Sequence, residues 1–181
     1  VAPSRGLGDV YKRQVKEARA LGVVSIANYN CPGQLVIGGE AEAVTKASEL
    51  ALEKGARRAI PLNTSGPFHT ELLASASNEL KEKFVSVNFN EMQVPVIFNS
   101  SAKELESGVS IAQMLEKQVM SSVYFEDSIR YMLENGVDTI IEIGPGKVLS
   151  GFIRKIDKTI KTYQVEDQAS LEKTLAGLKG E

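Results

Sequence analysis

The only histidine of the chain, His69, lies in the run Asn63-Thr64-Ser65-Gly66-Pro67-Phe68-His69-Thr70-Glu71, where an apolar stretch gives way through glycine and proline to a helical pattern. Histidine is the side chain that takes up and returns a proton near neutral pH. A histidine on such a turn stands where acyl-transfer chemistry holds its base, and a helix-start or surface residue is the plainer alternative. A base of this kind serves a nucleophile, expected as a serine on a strand-to-helix elbow of the form Gly-x-Ser-x-Gly. These 181 residues contain no such motif. Ser65 is too near in sequence to be assumed a partner, and Ser150, in Val148-Leu149-Ser150-Gly151, lacks the glycine two residues before it. Cys31 sits in the turn-like Asn30-Cys31-Pro32-Gly33 with no histidine or cation beside it to activate the thiol, and reads as an inert small residue.

Two other kinds of site are weakly supported. Gly144-Pro145-Gly146, with Lys147 after it, joins a strand pattern to a helix pattern, the setting in which helix amides bind phosphate. It lacks the glycine spacing of either nucleotide fingerprint and reads as a tight turn. With one histidine and one cysteine, a metal site would need carboxylates, and these follow solvated helix faces. Neither a metal nor a cofactor is expected.

Composition narrows the partners. The formal charge is -2, and the 21 lysines and arginines are scattered, so no electrostatic footprint for nucleic acid is present. No apolar run approaches the roughly 20 residues that span a bilayer, and no charged-then-apolar leader is seen. A single cysteine excludes an internal disulfide and fits a reducing compartment. A soluble, cytoplasmic protein is expected.

The elements that must position His69 follow from periodicity. Residues 1–14 show neither helical nor strand period and read as a segment foreign to the fold, or disordered. A short helix over 15–21 closes at Gly22. Strands over 23–29 and 34–38 flank the turn at residues 30–33 as a hairpin. Residues 40–54 place Val44, Ala47, Leu50 and Ala51 on one helical face before Gly55, and 58–62 reads as a strand. Helix, strand, strand, helix, strand lacks only a first strand to complete the ferredoxin-like βαββαβ order. Beyond the histidine, Leu72, Leu73, Ala76, Leu80 and Phe84 mark a long helix, and 94–99 a strand. Helices are expected over 111–119 and 125–135. A buried parallel strand is expected over 139–143, a helix over 148–155, a strand over 162–165 and a helix over 170–178. The class is α/β, with the part before His69 a smaller layer of its own.

Three motifs taken together, Asn28-Tyr29-Asn30-Cys31-Pro32-Gly33-Gln34, Gly66-Pro67-Phe68-His69-Thr70 and Glu142-Ile143-Gly144-Pro145-Gly146-Lys147-Val148-Leu149, resemble the bacterial malonyl-CoA:acyl carrier protein transacylases. The likeness runs from about residue 15 to about 178. It implies an α/β-hydrolase-like acyltransferase subdomain, present here as its C-terminal part over 63–181. It also implies a ferredoxin-like small subdomain over 15–62 whose first strand is missing. The implied activity is a ping-pong transfer of malonyl from malonyl-CoA, a substrate rather than a cofactor, to the phosphopantetheine thiol of acyl carrier protein. His69 matches the family's base and Gln118 the residue whose main-chain carbonyl orients it in place of a triad aspartate. Phe68 matches the malonyl-selecting form of the motif, and Cys31 stands where relatives commonly carry serine.

The family's nucleophile, its carboxylate-binding arginine and its oxyanion glutamine belong upstream of these residues, so the chain alone is expected not to turn over. The resemblance further implies a monomer at full length. Lys54, Arg57, Arg58, Arg154 and Lys155 are basic positions that could meet an acidic carrier helix, or simply solvated faces.

Overall fold

The computed structural model describes residues 4–180. They form a mixed α/β structure with two small sheets, and the chain divides into two compact units, Val1–Ser128 and Ile129–Glu181. The first unit opens with helix α1 (Ser4–Ala18), continued by a 3-10 turn at Arg19–Leu21 that Gly22 ends at φ 145°. Strands β1 (Val24–Cys31) and β2 (Gln34–Gly39) form the expected antiparallel hairpin around the Pro32-Gly33 turn. Helix α2 (Ala41–Glu53) follows. After the histidine turn come α3 (Ala74–Phe84), α4 (Ile111–Gln118) and a two-residue strand β3 (Val123–Tyr124). Helix α5 (Phe125–Glu134) spans the boundary between the units.

The first unit's core is built where α1, β1 and α2 meet. Val15, Ala18, Val24, Ile26, Ala43 and Ala47 are buried together, with Tyr29, Leu35, Ile37 and Val44 packed on them. Val24 is fully covered, at 0% exposure, which stabilises by roughly 1.5–3 kcal/mol over an exposed valine. On α2 the alternation of small and branched residues at helical spacing produces this contact, with Ala43, Ala47 and Leu50 facing in.

Several expectations need correction. The first helix starts at Ser4, so residues 4–14 are helical rather than irregular, and the expected disorder there is not found; residues 1–3 lie outside the described residues. Leu7, Val10, Tyr11, Val15 and Ala18 repeat at helical spacing, a pattern the sequence reading overlooked, and Lys12, Arg13 and Gln14 between them are good helix formers, so one helix runs through the segment. Residues 58–62 and 94–99 form no strand; Val94 stays 68% exposed, and the only pairing in the second stretch is the isolated bridge Phe98–Lys103. Strand propensity describes a side chain that suits a pleated surface, but a strand exists only with a partner, and Pro61 and Pro95 each remove a donor. Conversely, β3 was too short to show a period. It pairs parallel with β1 at Asn28 and Tyr29, giving the order β2-β1-β3 and stacking Tyr124 on Tyr29 with ring centres 5.1 Å apart.

In the second unit, β4 (Thr139–Ile143), α6 (Val148–Ile156), β5 (Lys161–Val165) and α7 (Gln168–Lys179) follow in order. The strands pair in parallel, Thr139 opposite Lys161 through Ile143 opposite Val165. Both strands were expected, but the burial expected of β4 is not found: Ile143 is 81% exposed, and α6 and α7 pack along β5. Asp167 caps α7 by accepting from the Ser170 amide at 2.8 Å. Among the described residues no helix is long and apolar enough to cross a membrane.

Candidate active site

His69 is held by a turn whose geometry the residue types dictate only in part. Gly66 and Pro67 bring the chain round, and the Thr70 hydroxyl donates to the Pro67 carbonyl at 2.6 Å, closing the turn across His69. The Leu73 amide then donates to the Thr70 carbonyl at 3.1 Å, starting a 3-10 turn over Glu71–Leu73 that leads into α3. His69 itself adopts φ 61°, the left-handed region. For a residue with a Cβ this costs on the order of 1 kcal/mol and persists only where neighbours enforce it.

The enforcing neighbours sit at the end of α4. A helix leaves its last carbonyls without intrahelical donors, and two of the carbonyls at this terminus are taken by His69. Its amide donates to the Val119 carbonyl at 3.2 Å, and its Nδ1 lies 3.1 Å from the Gln118 carbonyl oxygen, 49 residues away in sequence. A carbonyl only accepts, so Nδ1 must carry the hydrogen, and Nε2 keeps its lone pair. The terminus is anchored in turn by Ser77, buried on α3, whose hydroxyl donates to the Glu116 carbonyl at 3.0 Å. His69 is partly buried, and Phe68 beside it is 51% exposed.

The structure thus brings His69 and Gln118 together through the glutamine's main chain. Sequence reasoning without a resemblance had no signal for that contact, because every residue type offers a carbonyl. The other candidates are placed elsewhere. Cys31 is buried at the end of β1 with its Sγ 3.8 Å from Gln34 Oε1. Among the described residues no group of three or more His, Cys, Asp or Glu is disposed to hold a metal. Lys54, Arg57, Arg58, Arg154 and Lys155 are all exposed. A depression of about 320 Å³ against α1 gathers Lys12, Lys16 and Arg19 with Ser25, Tyr29 and Ser122. The sequence reading missed this basic face because Lys12 lay in the segment set apart.

The Gly144-Pro145-Gly146 turn is closed by the chain's own carboxylates. Glu142 accepts from the amides of Leu149 and Ser150 at 3.1 and 2.8 Å, and Glu166 from the Gly146 amide at 2.8 Å. These occupy amides that a phosphate would otherwise use. Burial works against ionisation of Glu142, but its contacts with Ser150 and the Leu149 amide outweigh it and hold the carboxyl below its ordinary range. A carboxylate depressed in the folded state stabilises above its unfolded pKa, and that contribution is lost as pH falls through the folded pKa. Asp157, hydrogen-bonded by Thr159, and Asp167, hydrogen-bonded by Ser170, are lowered too and act in the same sense. The melting temperature is therefore expected to fall on acidification between about pH 5 and pH 2. Glu142→Gln should flatten, but not abolish, that fall. Superimposable pH profiles for the two proteins would remove Glu142 from the account.

The chain is similar to known proteins over most of its length. It matches the family model described as acyl transferase domain over residues 2–178, which takes in most of the segment 1–14. It is 48% identical over 159 residues to the malonyl CoA-acyl carrier protein transacylase of Bacillus subtilis (strain 168), covering 88% of this chain and 50% of that protein. The crystal structure of MCAT from Streptococcus pneumoniae is similar at a TM-score of 0.89 and 48% identity, over 93% of this chain and 55% of that one. A structure described as a type II PKS acyl-carrier protein in complex with its malonyl-transacylase is similar at a TM-score of 0.88 and 35% identity, over 96% and 55%. The chain spans about half the length of the curated relatives it matches.

Proposed function

Since the chain belongs to the acyl transferase domain family, we propose that it carries the general base of a malonyl transfer from malonyl-CoA to the phosphopantetheine thiol of acyl carrier protein. The observation that carries this reading is the hydrogen bond from His69 Nδ1 to the Gln118 carbonyl, which leaves Nε2 free to accept a proton. The names of its relatives, one of them complexed with a carrier protein, support the substrates and partner.

In this mechanism His69 Nε2 takes the proton of a serine hydroxyl as its oxygen attacks the malonyl thioester. The carbon–sulfur bond breaks, and His69 returns the proton to the departing CoA thiolate. In the second half His69 takes the proton of the carrier thiol, the sulfur attacks the malonyl-serine ester, and the proton goes back to the serine oxygen. Gln118 is the orienting residue through its main chain and accepts no second proton. The reaction needs no metal or cofactor. The serine has no Gly-x-Ser-x-Gly counterpart in these 181 residues, so the chain alone is expected not to turn over. Phe68 beside the base would restrict room for a branched acyl group.

The finer architecture that goes with this reading is a ferredoxin-like small subdomain over 15–62, to which β1, β2, α2 and the end of α1 contribute. Residues 63–181 form the C-terminal part of an α/β-hydrolase-like subdomain. The proposed setting is the cytoplasm, in keeping with a single cysteine that has no second one in the chain to pair with. The test is a chimera in which residues 15–178 replace the matching stretch of the Bacillus subtilis transacylase. Malonyl transfer from malonyl-CoA to carrier protein is expected, and a folded chimera without transfer would overturn the reading.

A further inference from the structure

We infer that Thr70 is the positioning residue that locks His69 in its left-handed conformation, wedged between the Pro67 carbonyl and the floor of β2 at Gly38, and so selects the Nδ1–H tautomer. This rests on the reading of His69 as a base and adds the residue that prepares it.

Thr70 is 1% exposed, and both of its branches are engaged. Its hydroxyl closes the turn onto Pro67 at 2.6 Å. Its methyl lies over β2, where a Cβ placed on Gly38 would stand 3.2 Å from Thr70 Cγ2 and 3.7 Å from the Phe68 carbonyl. The residues on either side of His69 therefore both face the space that a side chain at Gly38 would take. A β-branched side chain has little χ1 freedom, so fixing its two branches also fixes the peptide that precedes it. With the Phe68 carbonyl held on the same side of β2, the peptides before and after His69 are both placed, and together they hold the φ of 61° at which the His69 amide reaches Val119 while Nδ1 reaches Gln118. Relaxation to an ordinary φ would break both contacts together, and the imidazole would revert to the tautomer that solvent favours.

His69 is the only histidine, so histidine-labelled chain free of any affinity tag gives a single imidazole in its ¹⁵N spectrum. The ¹⁵N shifts of the neutral ring report the Nδ1–H to Nε2–H ratio. The 181-residue chain is expected to show mainly Nδ1–H. Thr70→Val keeps the shape and loses the hydroxyl, and should lower the ratio roughly three- to tenfold, the worth of one hydrogen bond. Gly38→Ala, pressing on the methyl, should lower it as well, and Gly38→Ala combined with Thr70→Ser, which removes that methyl, should restore it. An unchanged ratio in folded Thr70→Val overturns the role. Should that variant fail to fold, the Gly38 pair decides, and absence of recovery overturns it. An Nε2–H tautomer in the unsubstituted chain would instead overturn the base reading itself. The two failures are therefore distinct.

Discussion

His69→Ala in the chimera is expected to lower kcat for malonyl transfer by about a hundred- to ten-thousand-fold, the range removed with a general acid–base group. That loss corresponds to roughly 3 to 5 kcal/mol of barrier. Alanine leaves the serine to attack with its proton unplaced and the CoA thiolate to depart unprotonated, so the acylation and deacylation steps both slow. KM for malonyl-CoA should move far less, since the imidazole acts on the reacting atoms rather than on the bulk of the substrate. Gln118→Ala provides the contrast. The contact to Nδ1 comes from the main-chain carbonyl, which alanine retains, so kcat should stay within about tenfold of the parent. Equal losses in the two variants would mean that the glutamine side chain, and not the helix terminus, does the orienting. An active His69→Ala chimera would end the proposal.

The elements that surround this site differ in how far they could be read from residue order. The β1–β2 hairpin and α2 were legible because Pro32-Gly33 punctuates two apolar runs and Val44, Ala47, Leu50 and Ala51 repeat at helical spacing, although the buried face turns one position further, onto Ala43 in place of Ala51. Strand β4 was legible as a short apolar run between Gly136 and Gly144, and β5 as a short strand pattern after α6, but their pairing with each other left no mark in residue order. Residues 58–62 and 94–99 carry equally good strand residues and form none, since propensity is local and pairing is not. His69 was singled out by its chemistry, whereas its contact with Gln118 was anticipated only through resemblance. A main-chain acceptor at Gln118 leaves no residue-type signature, and neither does the left-handed φ of a residue that is not glycine. Thr70 was passed over because one threonine in a turn reads as surface, and its burial depends on Gly38, 32 positions earlier (70 − 38).

Gly39→Ala is expected to be the most destabilising single methyl that can be added to the first unit. Gly39 ends β2 at φ 155° and pairs with Val24, the fully covered residue of the core. A Cβ there would stand 2.1 Å from the Val23 carbonyl oxygen and 2.7 Å from the Val24 Cα. These are backbone atoms, so no rotamer change relieves the overlap. The Val23 carbonyl also accepts from the Glu40 amide at 2.7 Å, where α2 begins, so moving it disturbs the strand register and the helix start together. The cost should exceed about 3 kcal/mol, the range of overpacking joined to backbone strain. Gly33→Ala is the control: φ is 77°, but nothing lies within 4 Å of the added methyl, so only the left-handed penalty of about 1 kcal/mol applies. Urea unfolding followed through the exchange of β1 amides separates the two, with a much lower midpoint expected for Gly39→Ala. Matching midpoints would mean that β1 and β2 can part at Gly39 without loss. Any separation there would also displace Gly38, so Gly39→Ala chain that still folds should lose Nδ1–H tautomer at His69. The stability of the hairpin and the readiness of the base would then be two readings of the same packing.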